Sequence, residues 1–188
     1  MAQTQQDREL CHRPTASDDQ ITKACGAIIS SAAKPSERSD AFLSRSLAYV
    51  HKGQFERAIA DATDAVTLEP DSFPAFMIRG VAYDGRGLFD QAIADYSRAI
   101  ALNPKFSKVY YNRALDYEHK GLNDQAIADA TVAIGLEPRF ANAFVVRGFA
   151  YENKDLNEKA IADFRVALSL DPQLQQAKAG LARLSGSH

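Results

Sequence analysis

The sequence predicts an all-α solenoid, a stack of antiparallel helix pairs, and three observations carry that prediction. A proline returns every 34 residues, at Pro70, Pro104, Pro138 and Pro172. The stretch ahead of each proline repeats one pattern, as in PAFMIRGVAYDGRGLFDQAIADYSRAIALNP and NAFVVRGFAYENKDLNEKAIADFRVALSLDP. Glycine recurs at one place inside the pattern, at Gly53, Gly87 and Gly121, between two apolar-periodic runs. A fixed period of this size marks like supersecondary units, none of which can bury its apolar face alone.

Each element follows from local chemistry. In the first repeat a helix is expected from about Asp40 to Lys52. Gly53 closes it, because glycine accepts the left-handed conformation that ends a helix. The fourth repeat has Asp155 there, which tolerates that conformation at some cost. A second helix is expected from about Phe55 to Leu68. Proline ends it and opens the turn into the next repeat. The packing rows are legible from the spacing. Phe42, Phe76, Tyr110 and Phe144 form one row, and Tyr49, Tyr83, Tyr117 and Tyr151 another. Ser46, Gly80, Ala114 and Gly148 are expected opposite Ala58, Ala92, Ala126 and Ala160, small against small. Ile59, Ile93, Ile127 and Ile161 add an aliphatic seam.

This arrangement of small, aromatic and alanine positions at this period resembles the tetratricopeptide repeat, with Phe or Tyr where the family often has Trp. The resemblance covers residues 39 to 174 and divides them into units 39–72, 73–106, 107–140 and 141–174. It implies a right-handed superhelix whose concave wall is made by the first helix of each unit. Arrays of this kind need polar-faced caps. Residues 175–184 read as a C-terminal capping helix, with Ala177, Leu181 and Leu184 on one face. Residues 17–38 read as an N-terminal capping helix and linker, opened by a capping box of Ser17 and Gln20. Residues 1–16 are expected to be disordered, and 185–188 form a tail.

Composition excludes several classes. The net charge is -2, so no bulk electrostatic attraction favours nucleic acid. No apolar run approaches the roughly 18 residues that span a bilayer, so membrane insertion is not expected. No phosphate-binding glycine loop, HExxH, CxxC or GxSxG occurs, and no carboxylate stands alone in an apolar setting. An enzyme, a cofactor and a metal are therefore not expected. Cys11, His12 and Cys25 lack the fourth ligand that a zinc site needs. His51 and His119 read as exposed helix-end residues. Cys11 and Cys25 are either a disulfide, which implies an oxidising compartment, or two unpaired thiols. A cysteine and a helix ahead of the array, chiefly Cys11 and the ITKAC segment, are similar to exported bacterial tetratricopeptide proteins. That resemblance implies a periplasmic or secreted protein rather than a cytoplasmic one.

Two patterns remain for function. Arg45, Arg79, Arg113 and Arg147 recur on the first helices, and Asp61, Asp95, Asp129 and Asp163 on the second. They are expected to pair as a structural ladder, because the aspartates cancel the field that a phosphate-gripping arginine stripe would need. The second pattern is a concave stripe: Leu43, Leu47, Met77, Val81, Tyr111, Leu115, Val145 and Phe149. It turns acidic toward one rim at Asp84, Glu118 and Glu152. An apolar floor of this kind marks an interaction surface. The expected function is a non-catalytic scaffold that binds an apolar or amphipathic peptide or helix in the groove. The alternatives are a homo-oligomer whose groove or end face is self-occupied, and a groove occupied by the chain's own N-terminal segment. The carboxylate clamp known in the family needs Lys and Asn where this chain has Leu43 and Leu47, so chaperone C-termini are not the expected ligand.

Overall fold

A computed structural model describes residues 2–31 and 33–185, and these are α-helical with no strand among them. The chain divides into two compact units, Met1–Leu102 and Asn103–His188.

The first unit holds α1 (Ala2–Cys11), α2 (Asp18–Ile29), α3 (Pro35–His51), α4 (Phe55–Leu68), α5 (Phe73–Gly85) and α6 (Phe89–Leu102). The disorder expected over 1–16 is corrected for Ala2–Cys11, Met1 lying outside the described residues: α1 packs on α2, and a disulfide joins Cys11 to Cys25 with an S–S distance of 2.11 Å. Both cysteines are buried in a small core with Ala24, Ile28 and Ala41. Hydrophobic periodicity could not show α1, whose sequence AQTQQDRELC is almost wholly polar. The expected capping box is present: Ser17 Oγ accepts from the Gln20 N–H, and Gln20 Oε1 accepts from the Ser17 N–H. Helix α3 starts at Pro35 rather than at Asp40. Proline suits the first helical position, where its missing N–H costs nothing, and the Glu37 carboxylate accepts from the Lys34 N–H.

The second unit holds α7 (Ser107–His119), α8 (Asn123–Leu136), α9 (Ala141–Glu152), α10 (Asn157–Leu170) and α11 (Gln175–Ser185). The C-terminal cap thus runs one residue beyond its expected end, and the rest of the expected tail, 186–188, lies outside the described residues.

The turn between paired helices is the same in all four repeats. The residue with positive φ is Gly53 (66°), Gly87 (71°), Gly121 (71°) or Asp155 (59°). Its N–H bonds three residues back, and the next N–H bonds the carbonyl of Tyr49, Tyr83, Tyr117 or Tyr151 at 2.8–2.9 Å. That pair of hydrogen bonds is the Schellman closure, which satisfies carbonyls a helix end would otherwise leave bare.

Between paired helices the expectation of small against small is half right. Ser46 Oγ donates to the Ala58 carbonyl at 2.8 Å, so the helices of the first repeat approach closely there. Gly80 and Gly148 instead face rings: an added β-carbon would lie 2.6 Å from Tyr96 and from Phe164 respectively. Both rings are fully buried. Where the second helix carries Ala62 or Ala130 in place of the ring, the first carries Ser46 or Ala114 in place of glycine. Each repeat thus balances volume across the pair.

Helix α11 continues the register as a fifth first-type helix. Ala177 falls where Ala41, Ala75, Val109 and Ala143 fall, and all five are fully buried. Gly180 lets α11 close on the other side of Phe164, where a β-carbon would come within 2.5 Å of the ring.

Candidate functional site

The ladder is the most regular feature of the site's scaffold. Each arginine donates through Nε and Nη2 to both carboxylate oxygens of the aspartate 16 residues on, in its own repeat. The distances run from 2.7 to 2.9 Å. Arg79 and Arg147 also donate to Thr63 and Thr131 of the preceding repeat. In Arg45, Arg79 and Arg147 the aspartate hydrogen bond, opposed by burial, holds the guanidinium above its ordinary pKa. In Arg113 burial is the largest influence and works downward, but the bond and charge of Asp129 outweigh it. The arginines are thus committed to structure and are not offered to a ligand.

The stripe is divided by burial. In the first unit Leu43, 9% exposed, belongs to the core with Phe42, Ala65, Ala75 and Ile78, and Met77 packs against that cluster. Leu47 is 42% exposed, and Val81 is half-buried. A shallow cavity of about 260 Å³ beside Leu47 is walled by Cys11, His12, Arg13, Pro14, Ile21 and Ser44. The turn between α1 and α2 therefore reaches the exposed side of α3, where a His12 ring nitrogen lies 3.1 Å from Ser44 Oγ.

In the second unit four stripe residues meet. Tyr111 and Leu115 from α7 and Val145 and Phe149 from α9 line one cavity of about 320 Å³. Val146 completes its apolar floor, while Glu118, His119, Asn142 and Gln176 form its edge. Val145, 2% exposed, packs in the core and shows only one side to the cavity. Leu115 is half-buried against Ala114, Ala130 and Val146. Phe149 packs edge-on to Phe164, ring centroids 5.1 Å apart, and Tyr111 lies 4.9 Å from Phe140. These contacts fix the rings of the floor in place.

The spacing of the stripe shows Glu118 of the polar edge but not the edge's two amides. Asn142 and Gln176 occupy the same repeat position 34 residues apart, so the period could have shown them. Arg183 also lies outside the expected stripe, because the spacing predicts α11 only as a cap. It occupies the repeat position of Leu115 and Phe149. Its guanidinium lies over the Phe149 ring at 5.6 Å and donates two bonds to Glu152, at 2.8 and 2.9 Å.

Helix pairs of this length, closed by these turns and ordered by this ladder, define a tetratricopeptide array. The chain belongs to the tetratricopeptide repeat family, whose repeat matches residues 39–72, 73–106 and 141–174. Domains of this family commonly mediate protein–protein interactions. The fold is similar to the crystal structure of MamA, with 27% identity and a TM-score of 0.78 over 92% of this chain and 94% of that one. It is also similar to the Arabidopsis OM64 TPR domain, at 31% identity and TM-score 0.60, covering 62% of this chain and 96% of that one. A third similar structure is the first TPR of Spaghetti (RPAP3) bound to the HSP90 peptide SRMEEVD. It has 25% identity and a TM-score of 0.60, covering 61% of this chain and 91% of that one. Comparison with curated proteins finds no match. No described helix is long and apolar enough to cross a membrane.

Proposed function

We propose that the face shared by α7, α9 and α11 binds an apolar or amphipathic protein segment, and that the chain acts as a non-catalytic scaffold. One observation carries this reading: a cavity of about 320 Å³ has an apolar floor built from Tyr111, Leu115, Val146 and Phe149, edged by polar groups. That volume lies at the low end of ligand pockets and suits one or two side chains of a peptide. Asn142 and Gln176 are exposed at its edge, and an amide offers both a donor and an acceptor to a ligand's backbone. The RPAP3 domain, bound to a peptide, supports this mode of use. In the first unit Leu47, Met77 and Val81 occupy the corresponding repeat positions, with Leu47 42% exposed. The Cys11–Cys25 disulfide supports placement in an oxidising compartment, periplasmic or secreted.

Leu115→Ala tests the proposal. Half of Leu115 already serves the core, so truncation should cost about 1–2 kcal/mol of stability and leave the helices formed. Affinity for partners captured by the wild-type chain should fall by about tenfold or more, as for an anchor at an interface centre. Titration of the purified partners, with circular dichroism as the folding control, reads both. A folded variant that keeps every partner at full affinity moves the function to another surface.

A further inference from the structure

We propose that the segment bound in this cavity carries a basic residue, Lys or Arg, beside its apolar anchor, and that Glu118 reads it. The inference rests on the groove reading above and names the ligand's charge.

With histidine neutral, Glu118 is the one formally charged residue lining the cavity. It sits one turn beyond Leu115 on α7, so it faces the same side. Glu118 is half-buried as a residue, and its carboxylate Oε1 accepts an exposed hydrogen bond from Asn153 Nδ2 at 3.0 Å. Asn153 also donates to Asn123 Oδ1, which fixes the amide that orients Glu118. Among the described residues no cation forms an ion pair with Glu118. The neighbouring rim carboxylate is in the opposite state: Glu152 is held by both arms of Arg183. Among the described residues of the second unit, the rim thus presents one neutralised acid, Glu152, and one, Glu118, whose charge is met by an amide.

That asymmetry gives selectivity by two routes. A ligand that covers the groove removes water from Glu118, and a carboxylate buried without a cation is costly. A basic side chain on the ligand cancels that cost, and the apolar floor strengthens the attraction relative to open water. An acidic neighbour on the ligand adds repulsion, so the site discriminates against it as well as for the basic one. Leu115 and Glu118 are three residues apart, about 4.5 Å along the helix axis. An extended ligand spans that in one or two residue steps, so the cation lies one or two positions from the anchor.

The test is selection of a displayed library of random twelve-residue peptides on the full chain. Binders sensitive to Leu115→Ala should carry a large apolar residue with Lys or Arg one or two positions away. Replacing that base by Glu in a synthetic binder should weaken Kd by about tenfold or more at low salt, less at high salt. Glu118→Gln should shrink this difference, and Glu118→Lys should reverse it. Leu115-dependent binders with no preference for a basic neighbour would overturn the proposal and leave the groove reading standing. A selection that returns no Leu115-dependent binder would overturn both.

Discussion

A β-carbon added at Gly148 would sit 2.6 Å from the Phe164 ring, a distance real contacts do not reach. Two effects compete in Gly148→Ala. Alanine gains up to about 1 kcal/mol of helix propensity. Overpacking a fully buried ring costs about 1–3 kcal/mol. The ring is held between Gly148 and Gly180 and cannot retreat, so net destabilisation is expected. Gly135 on α8 is the control: nothing lies within 4 Å of its added β-carbon, so Gly135→Ala should stabilise by up to about 1 kcal/mol. Urea denaturation of both variants reads the opposite signs, and equal signs would refute the packing argument. The Arg–Asp pairs make a second test at this scale. The Asp95 side chain is 9% exposed and that of Arg79 16%, so removing the carboxylate strands a cation that still reaches some water. Asp95→Ala should therefore cost about 1–3 kcal/mol rather than the full penalty of a sealed pair. An unchanged denaturation midpoint would show the ladder to be decorative. Because the guanidinium pKa is raised in the fold, the pair's contribution is fully present below the ordinary arginine range. It is lost only as strongly alkaline pH passes the folded value, so neutral buffers should show no trend from this group.

Among the elements, α1 has the weakest claim to exist alone. It is 10 residues long, and isolated helices shorter than about 12 residues are marginal in water. Its apolar contribution is essentially Leu10 and Cys11, packed against the small core around Cys25 and Ile28. Arg8 and His12 add one exposed contact each to α3. The disulfide is therefore the main restraint on this helix. Closing a loop of this length restricts the unfolded chain by about 3 kcal/mol in the chain-entropy view. A double variant, Cys11→Ser with Cys25→Ser, should lose hydrogen-exchange protection over Ala2–Cys11 while α4 to α6 keep theirs. Unchanged protection of α1 would show that side-chain packing alone holds it. At the other end α11 needs no such staple, because Ala177 and Gly180 fit it to Phe164.

For the whole molecule, occupancy of the groove is a matter of association. A self-occupied groove would make mass depend on concentration and on Leu115. The cavity has an anchor-sized volume and a carboxylate edge, features that favour a short segment over a second copy of the chain. Sedimentation of wild type and Leu115→Ala should thus give the same mass at every concentration. A wild-type dimer that the variant loses would turn the cavity into a self-contact. No such result would touch the fold, since stability in repeat arrays comes from neighbouring helices.

The sequence by itself determined the repeat. Its 34-residue period, the glycines at Gly53, Gly87 and Gly121, and the paired Arg and Asp rows are one-dimensional signals. Each reflects a contact between residues at fixed spacing within one repeat, so the chain's own register states it. The tertiary structure decided which stripe residues serve the core. Leu43 and Leu47 look alike in the sequence, yet one is buried beside Ala75 and the other is 42% exposed. Burial depends on how far the next helix pair leans in, and no spacing rule encodes that distance. The structure also decided α1, whose polar sequence carries no period and whose anchor is a bond between residues 14 apart. Likewise Glu118 and Glu152 are equivalent in the repeat, and only the packing of α11 gives Arg183 to one of them.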